Sequence, residues 1–163
     1  MDTHEPLPPQ EPSAEYNFLV LMLRHPDAAR RAIQLVRPED FYPGGLRKIF
    51  TVAQKMVNHE ERLDLRSLRN ALARQGLLDQ VGGQSFLDML ERSLAGPEPF
   101  FDCESAAGLI RNAALARKLI AFSVEVIRKS FAPHCNALEL LREARAVLDK
   151  LAAACDAAAH DRG

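Results

Sequence analysis

The chain has 163 residues, of which 47% are hydrophobic and 26% charged, and a formal net charge of −1 at pH 7. A chain of this length can bury about 70% of its unfolded surface, and its balanced charge gives no general attraction to nucleic acid or membrane. No apolar run reaches the ~20 residues that span a bilayer, and none at the N-terminus predicts secretion. With three cysteines that lack CxxC spacing, these features indicate a cytoplasmic protein.

Residues 1–12 read MDTHEPLPPQEP and contain four of the ten prolines, which predicts a flexible arm. A helical head is predicted over residues 13–100. Its first helix is expected to begin at a capping Ser13, and its second at Pro26. The apolar positions of these two helices are Phe18, Leu19, Met22 and Leu23, then Ala29, Ile33 and Val36.

Residues 39–50 read EDFYPGGLRKIF, in which Pro43, Gly44 and Gly45 predict a turn that starts a third helix. Apolar residues then recur at spacings of three and four, as on the buried face of a helix. We expect two residues before the turn and two after it to belong to the head core. These residues are Phe41, Tyr42, Ile49 and Phe50.

Asp64 is placed to cap a fourth helix, and Gly76 stands where a left-handed residue usually ends one. The predicted buried face of this helix comprises Leu65, Leu68, Leu72 and Ala73. Gly82 and Gly83 then predict a second tight turn in the head. A fifth helix is expected over residues 84–94.

A long helical hairpin is predicted over residues 101–159, with a disordered tail over residues 160–163. Asp102 is placed to cap a helix that runs to Ala132, Pro133 ends it, and Asn136 is placed to cap the last helix. The long helix carries two apolar stripes, which imply two sets of neighbours. One stripe is Ile110, Ala113, Ile120, Val124, Ile127 and Phe131, the other is Leu115, Leu119, Phe122 and Val126, and the last helix repeats Leu141, Ala144, Leu148, Leu151 and Cys155. The predicted fold class is all-α, a helical globular head followed by a long antiparallel helical hairpin.

The sequence contains no recognisable chemistry-bearing motif. It has no glycine-rich phosphate loop ending in Gly-Lys-Ser/Thr, and no Cys and His spacing that suits a metal. The acidic pairs Glu39-Asp40 and Glu60-Glu61 are interpreted as solvated surface, as are the basic residues of the long helix. We therefore predict no catalytic residue, no cofactor, no metal and no enzyme activity.

Four stretches, taken in order, resemble the N-terminal domain of the bacterial hexameric replicative DNA helicase, the DnaB type. They are AEYNFLVLML at 14–23, VRPEDFY with a downstream IF at 36–50, LDLRSLRNALARQGLLDQVGGQSFLDML at 63–90 and LIRNAALARKLI at 109–120. In this family a helical head precedes a hairpin that pairs subunits, and six domains form a collar of three dimers. The resemblance implies a docking platform for the C-terminal helicase-binding domain of primase, with a helicase loader as a further partner.

On this resemblance the chain is an oligomerisation and docking domain with weak or no direct nucleic-acid binding and no membrane contact. One apolar stripe would pack within the subunit and the other against a partner. The residues expected at the oligomer or hairpin interface are Ile120, Val124, Ile127, Phe131, Leu141, Leu148 and Leu151. The ATP-driven motor domain that follows in the family is not in these 163 residues. Three readings therefore stay open: a domain of a longer helicase, a free-standing adaptor or decoy acting on helicase or primase, and a small single-stranded DNA binder.

Overall fold

The computed structural model describes residues 7–99 and 102–160, without the side chains of residues 155–160. Residues 1–6 of the predicted flexible arm, and all of the predicted tail except His160, lie outside the described residues. Within the described residues the fold is all-helical and contains no strand, as predicted. The helices are α1 Pro12–Arg24, α2 Pro26–Leu35, α3 Gly45–Asn58, α4 Leu65–Arg74, α5 Gly83–Ala95, α6 Cys103–Ser130 and α7 Ala137–His160, with short 3₁₀ turns at Pro38–Asp40 and Asp79–Val81.

Contacts divide the chain into two units, Met1–Ala114 and Leu115–Gly163. The first is a head unit and the second a hairpin unit, and α6 contributes to both. The division falls after Ala114 and not after residue 100, where the head was predicted to end. The reason is that the start of α6 belongs to the head core, in which Ala106, Ala107 and Ile110 are fully buried.

Helix α1 is the central helix of the head, since every residue from Phe18 to Leu23 is buried. The helix begins at Pro12 and not at a capping Ser13. Proline suits the first helical position because the N–H that it lacks would have no partner there. At its other end Arg24 donates to the carbonyls of Ser93 and Gly96 at 2.6 and 3.1 Å, which caps the C-terminus of α5.

Three phenylalanines form the aromatic centre of the head. Phe41 and Phe50 stack with their ring centroids 4.5 Å apart, and Phe18 meets both rings edge-on at 6.2 and 6.0 Å. All three side chains are fully buried. Aromatic pairs in these geometries add to the stabilisation that burial provides.

The predicted caps of α4 are confirmed. Asp64 accepts a hydrogen bond of 2.8 Å from the Ser67 backbone N–H at the start of α4, and Gly76 has φ +64° just beyond its end. The predicted buried face of α4 needs one correction, because Ala73 is exposed and Ala71 is buried in its place. A position five residues beyond Leu68 is turned by 140° around the helix, which carries Ala73 to the solvent side.

In the hairpin unit, α7 runs antiparallel to the second half of α6. Lys129 donates to Glu143 across the connector at 2.9 Å. The connector turns at His134, which has φ +63°, and the Asn136 side chain accepts the N–H of Glu139 at 3.3 Å to cap α7. A short connector therefore joins the two helices of the hairpin, as the sequence predicts.

Candidate interaction surface

The turn that starts α3 is fixed by groups from two directions. The buried Glu15 carboxylate accepts the backbone N–H of Tyr42 at 2.7 Å. From α3, Arg47 donates to the carbonyl oxygens of Phe41 and Glu39 at 2.6 and 3.1 Å. Side chains therefore hydrogen-bond the backbone around Phe41 and Tyr42. This segment lacks the regular backbone hydrogen bonds of an α-helix, so its polar groups need such partners.

The two glycine turns of the head meet each other. A Cβ at Gly45 would lie 3.2 Å from Cα of Val81, so the start of α3 packs against the second turn at backbone distance. Lys48 also donates to Gln80 at 2.6 Å. At that second turn Gly82 has φ +100° and Gly83 has φ +61°, a region that other residues rarely adopt.

The structure places the predicted core residues unequally. Phe41, Ile49 and Phe50 are fully buried, whereas Tyr42 is only half-buried. Tyr42 follows Phe41 in extended backbone, where neighbouring side chains point to opposite sides. One aromatic therefore enters the core, and the other lies at its edge.

A set of exposed apolar side chains, here called the outer stripe, lies on the two helices of the hairpin unit. On α6 and its end, Ile120 is 50% exposed, Val124 60%, Ile127 57% and Phe131 85%. On α7 the exposed apolar side chains include those of Leu138, Leu141 and Leu148, and Val147 is 37% exposed. The outer stripe comprises Ile120, Val124, Ile127, Phe131, Leu138, Leu141 and Leu148.

Most of the opposite apolar stripe is half-buried, although its member Leu119 is 38% exposed. Phe122 and Val126 on α6 and Ala144 and Leu151 on α7 are all of intermediate exposure. Leu151, which the sequence groups with the interface, therefore differs from Leu141 and Leu148. The side chain of Cys155, the last member of that repeat, lies outside the described residues.

Ion pairs accompany the apolar stripes. Arg128 donates to Glu125 through two nitrogens at 2.8 and 2.6 Å, and the Arg128 hydrogen bond holds the pKa of Glu125 below its usual value. The hydrogen bond to Glu143 raises the pKa of Lys129. These exposed pairs add charge at the surface and little stability.

Sequence reasoning missed several residues that fix these surfaces. Glu15 stands three and four residues before Phe18 and Leu19, so the helical period could have placed it on the buried face. Asp40, interpreted as solvated, is buried and accepts the backbone N–H of Arg37 at 2.9 Å. Leu138, which is 58% exposed on α7, is not among the predicted interface residues.

The described residues lack two kinds of feature. They contain no group of three or more His, Cys, Asp or Glu side chains that could hold a metal ion. Nor does any helix among them have the length and apolar character needed to cross a bilayer.

The profile of the DnaB-like helicase N-terminal domain family matches residues 7–99. The chain is 30% identical over 145 residues to the replicative DNA helicase DnaB of Rhodothermus marinus, and 27% identical over 146 residues to the replicative DNA helicase DnaC of Bacillus subtilis strain 168. These matches cover 89% and 90% of this chain but 15% and 32% of the two helicases. The chain therefore spans less than a third of the length of these curated relatives.

Solved structures agree with the sequence relatives. The crystal structure of the N-terminal domain of DnaB helicase from Mycobacterium tuberculosis is 25% identical, with a TM-score of 0.74, over 88% of this chain and 99% of that one. A DnaB-like replicative helicase, described with its interactions with primase, has a TM-score of 0.60 at 24% identity over 82% of this chain and 31% of that one, which supports the fold. The ordered motifs, the helical head with its hairpin and these matches lead to one conclusion: this chain belongs to the DnaB-like helicase N-terminal domain family.

Proposed function

We propose that this chain is a non-catalytic oligomerisation and docking domain of a cytoplasmic replicative DNA helicase. Two copies pair through the outer stripe, and three such pairs form a collar that binds primase during DNA replication. The observation that carries the proposal is the outer stripe itself. Apolar side chains that line up along one surface mark a protein interface more often than a solvated face.

Pairing through the hairpin requires a surface that complements its own copy, as in a two-fold dimer. The outer stripe suits this, since α6 and α7 both contribute branched or aromatic side chains and Phe131, at one end, is 85% exposed. Burial of this surface stabilises a pair at ~25 cal/mol for each Å² of apolar area removed from water. The half-buried stripe of Phe122, Val126, Ala144 and Leu151 is left to close the hairpin within each copy.

Light scattering at tens of micromolar protein tests the pairing. The expected mass is at least twice the chain mass of 18.1 kDa, and dilution should shift it towards one chain. A mass of one chain throughout this concentration range would exclude pairing through the outer stripe.

The primase role rests on similarity in fold and on family membership. The related DnaB-like helicase was described together with its interactions with primase, and the present chain has a near-neutral net charge that gives nucleic acid no strong electrostatic attraction. A helicase loader is a further partner on the same analogy. The proposed role of this chain is to bind partner proteins and not to catalyse a reaction.

Calorimetry with the C-terminal helicase-binding domain of the cognate primase tests the docking role. We expect measurable heat and co-migration in size-exclusion chromatography at near-physiological salt. A single-stranded oligonucleotide serves as the competing ligand. If primase gives no heat and no co-migration, while the oligonucleotide binds with a steep salt dependence, the chain is a nucleic-acid binder instead.

A further inference from the structure

The exposed side of α4 carries three arginines and no acidic residue. Arg66, Arg69 and Arg74 are all exposed, and Asn70 and Ala73 lie among them. At 100° per residue, Arg66, Asn70 and Ala73 fall near the centre of this side, and Arg69 and Arg74 flank it. We call Arg66, Arg69 and Arg74 the arginine face.

These three guanidinium groups have no hydrogen bond or ion pair within the part of the chain that the structure describes. Several other arginines of the head are engaged; for example, Arg30 pairs with Glu60 at 3.0 Å, and Arg47 donates to backbone carbonyls. An arginine with five donors in a fixed fork is well suited to carboxylates and phosphates. The arginine face therefore presents an unused set of anion-binding groups.

The positive surface is also short. Arg66 and Arg74 are eight residues apart, which is about 12 Å along a helix. Acidic residues stand at both ends, since Asp64 caps α4 and Asp79 begins the following 3₁₀ turn. Asp64 is itself engaged with Arg62 at 2.7 Å. This length suits two or three carboxylates and not an extended polynucleotide, which needs a continuous positive track.

The composition of α4 also favours carboxylates over a polynucleotide as the ligand. No aromatic residue lies in its sequence LRSLRNALAR, so unstacked bases would find no ring to stack on. Arginine forks bind carboxylates in a bidentate manner, with directional hydrogen bonds as well as charge. An acidic helix with carboxylates three to four residues apart presents them at the spacing of neighbouring turns.

We propose that the arginine face docks an acidic segment of a partner protein, with its carboxylates along one side of a helix or extended peptide. This surface belongs to the head unit and is additional to pairing through the outer stripe. Arg69 and Arg74 would hold carboxylates at the two flanks, and Arg66 one nearer the N-terminal end. Asn70 supplies a neutral donor and acceptor between them.

Fluorescence anisotropy with a labelled 15-residue helical peptide, carrying glutamates at spacings of three and four, tests this inference. A peptide with glutamine at the same positions is the matched probe. The wild-type chain should bind the glutamate peptide at least about ten-fold more tightly than the glutamine peptide. The R66Q/R69Q/R74Q variant should lose at least about ten-fold of that affinity.

The control variant R31Q/R142Q/R145Q removes the same charge from exposed arginines of α2 and α7. It should bind the glutamate peptide as the wild type does, and circular dichroism should show both triple variants folded. The single variant R66Q gives a second reading of the same surface and should weaken binding by several-fold. Equal weakening in both triple variants would mean that total charge, and not the arginine face, attracts the peptide.

A labelled single-stranded oligonucleotide of fifteen thymidines distinguishes the other anionic partner. The inference is overturned if the peptide does not bind, or if the oligonucleotide binds more tightly and loses affinity with R66Q/R69Q/R74Q. A hairpin variant, V124E, should bind the peptide as the wild type does. Loss of subunit pairing and loss of peptide binding by the arginine face can thus be observed independently.

Discussion

The carboxylate of Glu15, in the first turn of α1, accepts a hydrogen bond of 2.7 Å from the backbone N–H of Tyr42. The two residues are 27 positions apart, and Glu15 is only 2% exposed. This bond attaches the turn before α3 to the central helix of the head. The buried carboxylate thus provides a hydrogen-bond acceptor for a backbone N–H that no α-helix satisfies.

Replacing Glu15 by alanine should lower the free energy of unfolding by about 1–3 kcal/mol, because the part-buried Tyr42 N–H loses its acceptor. Glutamine should cost less, since its amide oxygen can still accept. Urea denaturation measures both. The control is E61A at an exposed carboxylate, for which we expect a change within about 0.5 kcal/mol; equal losses for E15A and E61A would contradict the role assigned to Glu15.

The second glycine turn should tolerate substitution poorly. Gly82 has φ +100°, and a Cβ there would lie 3.0 Å from Cβ of Phe86. G82A should therefore destabilise the head by about 1–3 kcal/mol. Gly44 provides the matched control, because its backbone is extended at φ 166° and a Cβ there meets nothing within 4 Å. Thermal unfolding should separate G82A from G44A clearly, and similar melting temperatures for the two would refute this account.

The cap of α4 predicts a pH-dependent contribution to stability. The hydrogen bond from the Ser67 backbone N–H is the main cause that holds the pKa of Asp64 below its usual 3.8. Since the folded-state pKa is the lower one, the cap stabilises the head above the unfolded-state pKa. This stabilisation is lost as the pH falls through the folded-state pKa.

D64A should therefore cost about 1 kcal/mol at pH 7, and the difference from wild type should shrink at pH values well below 3.8. Urea titrations at neutral and acidic pH measure it. The exposed Asp79 serves as a control in D79A, which should change the free energy of unfolding by no more than about 0.5 kcal/mol at neutral pH. A D64A difference that stays constant with pH would show that the ionised carboxylate is not what caps the helix.

The outer stripe should govern pairing and not hairpin stability. Val124 is 60% exposed in the single chain, so glutamate there costs little until a second copy covers it. V124E should then raise the dimer dissociation constant at least about 30-fold, or about 2 kcal/mol. Sedimentation velocity gives the masses, and circular dichroism gives the helix content.

The matched control for this substitution is A146E, on the polar side of α7, where the side chain is also exposed. It should leave the dissociation constant unchanged. If V124E loses helix content together with pairing, the valine supports the hairpin itself. If neither variant changes the mass, the outer stripe does not pair the subunits.

The sequence by itself determined the helices and their ends, because capping and turn residues act over a few positions. Asp64, Gly76 and Asn136 stand where they do for reasons of local backbone geometry. The helical period likewise identified apolar faces, including both stripes of α6. Local rules were misleading where neighbouring positions compete, as for Ala73, and where proline replaces a capping side chain, as at Pro12.

Only the tertiary structure decided which parts of each apolar stripe are buried and which are exposed. Ile110 and Val124 belong to one stripe in the sequence, yet the first is fully buried in the head and the second is 60% exposed on the hairpin. Periodicity gives the direction of a side chain around its own helix and says nothing of what lies opposite. The same is true of Glu15, whose partner Tyr42 comes from a distant turn: burial and hydrogen bonding depend on chain segments that meet only when the core forms.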